Sequence, residues 1–118
     1  MRKWQETIQP WKQLSLSTLY VCLVLEVVQS TKPRGIRVTI QHLDEPQAGR
    51  THTFVIALPL RPEGLGVDFF RACGLDIAVG GHVTPRDANG ATIRVRFAPS
   101  GDGSYDPVTF EPNEEENR

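Results

Sequence analysis

The chain has 118 residues, enough for one domain with its own hydrophobic core. Hydrophobic residues are 39% and charged residues 23%, a globular rather than a disordered composition. The net charge of -1 argues at face value against a polyanionic partner, but residues 1–110 carry 12 basic and 10 acidic groups while residues 111–118 carry 1 basic and 4 acidic.

The longest apolar stretch, Leu19 to Val28, contains Glu26 and falls well short of the roughly 20 residues of a membrane-spanning helix. The opening residues do not read as a signal peptide: Trp4 to Lys12 is polar and includes Pro10. Cys22 and Cys73 lie far apart in apolar contexts and read as reduced, buried thiols of a cytoplasmic protein. Residues 1–17 read as an arm. Its Trp4 and Trp11 either pack on the body or stack on a ligand.

Thr18 to Gln29 predicts a long strand rich in β-branched residues, and Ser30 to Gly35 a loop. Ile36 to Leu43 alternates, with Ile36, Val38 and Ile40 inward and Arg37, Thr39 and Gln41 outward. Asp44 to Arg50 is a turn. Thr51 to Leu60 alternates again, with His52, Phe54, Ile56 and Leu58 inward. Leu65 to Cys73 predicts the one helix, closed by Gly74 and Leu75. Gly81 to Arg86 reads as an edge strand because of Pro85, and Asn89-Gly90 as a hairpin turn into a final strand, Ala91 to Ala98. Val108 and Phe110 pair briefly with the body, and residues 111–118 form an acidic, disordered tail. The order β-β-β-α-β-β predicts a mainly β domain over residues 18–110: a five-stranded OB-fold-like Greek-key barrel with one helix between strands three and four.

Gly35-Ile36-Arg37-Val38-Thr39-Ile40, Ala48-Gly49-Arg50 in the turn, and Phe69-Phe70-Arg71-Ala72-Cys73-Gly74-Leu75 at the helix end carry a resemblance. Over roughly residues 18–98 the chain resembles phage and mobile-element OB-fold proteins, a long-uncharacterised family related to single-stranded-DNA-binding proteins. The resemblance implies a non-enzymatic protein that binds single-stranded DNA, or RNA, in replication or recombination, with proteins of those processes as further partners. The chain departs from such binders in offering no aromatic ring on the outward faces of strands two and three.

The candidate binding residues are basic and polar. Lys32 and Arg34 sit in the first interstrand loop, Arg37 on the second strand, Arg50 in the next turn, and Arg94 and Arg96 on the last strand. Arginine suits the task because its planar fork grips phosphate oxygens and its face stacks on bases. Thr39, Gln41 and Thr53 supply neutral hydrogen bonds. Tyr20 and Tyr105 join the tryptophans as stacking candidates. The competing reading is a wet sheet face with ordinary solvated arginines, which fits an adaptor that docks a protein and binds no nucleic acid. His42, His52 and His82 lack metal-ligand spacing. A small hydrolase would need two of them to converge on a pocket. No cofactor or metal is expected.

Overall fold

The structure, a computed structural model, describes residues 10–32 and 34–113. Its strands are β1 (Tyr20–Thr31), β2 (Arg34–His42), β3 (Thr51–Ala57), β4 (Thr92–Pro99) and β5 (Tyr105–Pro112), and its α-helix is α1 (Leu65–Ala72). The fold is mainly β: one five-stranded antiparallel sheet in the order β3-β2-β1-β4-β5, with one α-helix.

β1 is central because it is apolar toward the core along its length and pairs on both sides, with β2 and with β4. Cys22, Val24 and Val27 are buried. A two-residue step needs no shift, but Val24 to Val27 is three. The register shift between Val24 and Glu26 absorbs the extra residue and leaves Leu25 and Glu26 both exposed. β2 follows the alternation read from the sequence: Ile36, Val38, Ile40 and also His42 are buried.

The expected fourth strand is absent. Residues 81–84 are irregular, and Pro85–Ala88 forms a 3-10 helix with the proline at its start, where the missing N–H costs nothing. Asn89-Gly90 does turn the chain, with Asn89 at φ -58° and ψ 133° and Gly90 at φ 84°. Those angles are type II, not the type I′ of a tight hairpin. The Gly90 N–H donates to the Val24 carbonyl at 2.8 Å, so the turn docks on β1. The last hairpin is instead β4–β5, turning through Ser100 to Ser104. Glu111 and Pro112, expected in the tail, complete β5, and Asn113 after them is buried. β4 supplies the ladder, and the shift in it between Arg96 and Phe97 absorbs one extra residue, so that Pro107 and Phe110, three apart, are both buried. The remainder of the expected tail, 114–118, lies outside the described residues.

The expected closed barrel is not closed by hydrogen bonds. β3 and β5 are the sheet's two edges and run in the same direction. Side chains bridge them. Phe54 of β3, Phe69 of α1 and Phe110 of β5 form a ring cluster with centroids 5.2 to 5.8 Å apart. α1 packs Val67, Phe69, Phe70 and Ala72 into the core. It stops at a Schellman turn in which Gly74 (φ 89°) and Leu75 donate to the Arg71 and Phe70 carbonyls.

Candidate nucleic-acid interface

The outward face of β1–β3 is laid out by register. Arg37 stands between Val28 of β1 and Val55 of β3. Thr39 stands between Glu26 and Thr53, and Gln41 between Leu23 and Thr51. Lys32 and Arg34 are exposed at the β1–β2 turn, Arg34 as the first residue of β2 with the parity of Ile36 and so opposite in face to Arg37. These three basic residues lie within six positions of one another at this end of the sheet. The hydroxyls of Thr39 and Thr53 bond each other at 3.2 Å, and the Gln41 amide donates to the Gly49 carbonyl at 3.4 Å. The neutral candidates therefore lie on the same face, partly engaged with one another.

The other basic candidates are placed differently. Arg50 is at the far end of β2, roughly 25 Å from Arg34 at about 3.3 Å per residue. Its Nη1 donates to the Lys12 carbonyl and to Gln47 Oε1, each at 3.0 Å, and its guanidinium carbon lies 5.4 Å from the Tyr105 ring centroid. It ties the arm to the β2–β3 turn. Arg94 and Arg96 are on β4, separated from β2 by the width of β1. Arg94 stands opposite Glu111, and Arg96 donates to Thr109 Oγ1 at 3.0 Å.

The two tyrosine candidates are engaged by the arm. The Tyr20 hydroxyl accepts from the Ser15 N–H at 2.7 Å, and the Tyr105 hydroxyl from the Leu14 N–H at 3.3 Å. The arm's apolar anchor is Leu14, 5% exposed, whereas Trp11 is 52% exposed. Trp4 lies outside the described residues. Gln47, buried in the turn, completes the latch by donating to the Lys12 carbonyl at 2.9 Å.

Sequence reasoning missed the pairing of His42 with His52. Their Nε2 atoms are 2.9 Å apart, so one ring donates and the other accepts. Phe97 packs on both rings and Tyr20 on His42. Burial, then His52 and Arg50, push His42 down to about 4; burial, then Arg50, do the same to His52. The signal was the β2 period itself, since Ile36, Val38 and Ile40 inward put His42 inward too. The Nε2 atoms of the two rings are engaged with each other. Cavities of about 350, 440 and 310 Å³ lie elsewhere, around the β3–α1 loop, and only His82 lines one of them. Burial pushes the Cys22 and Cys73 thiols up to about 12, which leaves them protonated at neutral pH. Among the described residues, no three His, Cys, Asp or Glu side chains converge as a metal site, and no helix is long and apolar enough to cross a membrane.

Compared with known families and with curated proteins, the chain matches no family model and no curated sequence.

Proposed function

We propose that the chain is an OB-fold-like, non-enzymatic protein that binds single-stranded nucleic acid, DNA in the first place, on the outward face of β1–β3. The observation that carries this reading is Arg37 on that face in line with Thr39, Gln41 and Thr53, with Lys32 and Arg34 exposed at the β1–β2 end of the same sheet. The strand order supports it as well. A sheet whose free edges are the parallel β3 and β5 is what a five-stranded OB barrel becomes when that seam is left open, and such barrels bind oligonucleotides across strands two and three. The resemblance to mobile-element proteins suggests replication or recombination as the setting and the cytoplasm as the place.

The phosphate contacts in this reading are Lys32, Arg34 and Arg37. Arg94 and Arg96 are reached only by a strand that crosses β1, and Arg50 is committed to the arm. With three phosphates neutralised, log affinity falls against log salt with a slope of about -2 for a single strand. Titration of a labelled oligonucleotide at several salt concentrations tests this, and a flat response rejects it. The adaptor reading is favoured by a separate observation: Trp11 and Leu16 of the arm are 52% and 53% exposed. It expects no oligonucleotide binding even at low salt.

A further inference from the structure

We propose that the free edge of β3 is a docking groove in which an extended, acidic peptide segment of a partner protein adds as a sixth strand. The argument begins with the main chain. The Gly49 N–H donates to the His42 carbonyl at 2.9 Å and the His42 N–H to the Arg50 carbonyl at 2.8 Å, which sets the phase of the β2–β3 ladder. Bonded pairs alternate in an antiparallel ladder, so Ile40–His52, Val38–Phe54 and Ile36–Ile56 exchange bonds. Thr53, Val55 and Ala57 therefore aim their N–H and C=O groups away from β2. β3 has no ladder on that side.

A groove of about 350 Å³ lies along this edge. The groove touches every residue from Phe54 to Ala57 and continues over residues 58–61 of the β3–α1 connection. The start of α1 forms the opposite wall. Val55 and Leu65, one from each wall, are 41% and 40% exposed and offer apolar seats for alternate side chains of an added strand. The groove's single charged lining residue among those described is Arg61, exposed beyond the strand's end. Main-chain pairing, apolar seats and one terminal cation together select an extended segment that carries a carboxylate near Arg61. The groove adjoins the proposed phosphate-binding group, since Val55 stands opposite Arg37, but the proposal does not rest on that reading.

The probe is a fluorescein-labelled octapeptide of alternating valine and threonine ending in two aspartates, titrated against the full chain by polarisation. Binding should weaken at least about tenfold in Arg61→Glu, and when lysines replace the aspartates. It should weaken comparably in Val55→Pro, which removes an N–H that β2 does not use. Amide exchange should slow on peptide addition at Val55 and Ala57 and stay unchanged at Phe54 and Ile56, whose N–H groups already bond β2. No polarisation change up to roughly 1 mM, or binding without that alternating protection, overturns the proposal. So does sedimentation showing a dimer that Val55→Pro dissolves, since a second copy would then fill the groove. Protection of the same two amides by an oligonucleotide also overturns it.

Discussion

At the scale of single residues, the same type of side chain serves opposite ends. Arg37 is exposed between two valines, whereas Arg50 spends its donors on Lys12 and Gln47. Under the proposed function, Arg37→Ala weakens binding of every oligonucleotide sequence alike and lowers the salt slope by about 0.7. Arg50→Ala leaves that slope unchanged and loosens the arm. The histidine pair makes stability depend on pH. Both rings are held neutral in the fold, down to about 4, below their ordinary 6.5. The folded state thus binds fewer protons than the unfolded chain once pH drops below 6.5. Stability is full above that value and falls as pH goes from 6.5 to about 4, by on the order of 2–3 kcal/mol after allowance for the partial exposure of His52. Urea unfolding at pH 7 and at pH 4.5 measures the loss, and His52→Gln should reduce it.

At the scale of elements, local periodicity was a good guide where a strand has one wet face. β2, β3 and β4 were legible because their inward residues alternate over a full run, and α1 because its apolar steps end at Gly74 and Leu75. It misled where long-range contacts decide. Residues 81–84 carry strand-like residues but have no neighbouring strand to pair with, while β5, with two prolines and a Glu, is a strand because β4 supplies its ladder. The arm's course was equally hidden, since Gln47 and Tyr105 that hold it are distant in sequence. Gln47→Ala removes a buried amide that bonds both the Lys12 carbonyl and Arg50. It should cost about 1–3 kcal/mol in chemical denaturation. Gly35→Ala should also destabilise, because a Cβ there would sit 2.5 Å from the Ile56 carbonyl oxygen and 2.8 Å from Val55 Cγ1.

At the scale of the molecule, the open seam is the defining feature. Phe110 joins Phe54 and Phe69 where no ladder joins β3 to β5, so Phe110→Ala should cost about 3–5 kcal/mol in thermal or urea unfolding. The charge split has to be redrawn to match β5. Glu111 is part of the sheet, so a chain shortened to remove the acidic end while keeping β5 stops after Asn113. Residues 114–118 carry 3 glutamates and 1 arginine. Under the proposed function their removal should strengthen oligonucleotide binding, most at low salt where charge acts at longest range. Unchanged affinity would show that the acidic end does not compete.

The first three strands, the inward faces of β2 and β3, and the helix and its stop were readable from sequence alone. Each rests on residues within a few positions of one another, where periodicity and turn chemistry act. The tertiary structure alone decided which segments became the last two strands, that the β3–β5 seam stays without a ladder, that Arg50 holds the arm instead of facing solvent, and that His42 and His52 meet. Those outcomes depend on partners brought together across the sheet, and a strand's pairing or an arginine's engagement is a property of its neighbours in space.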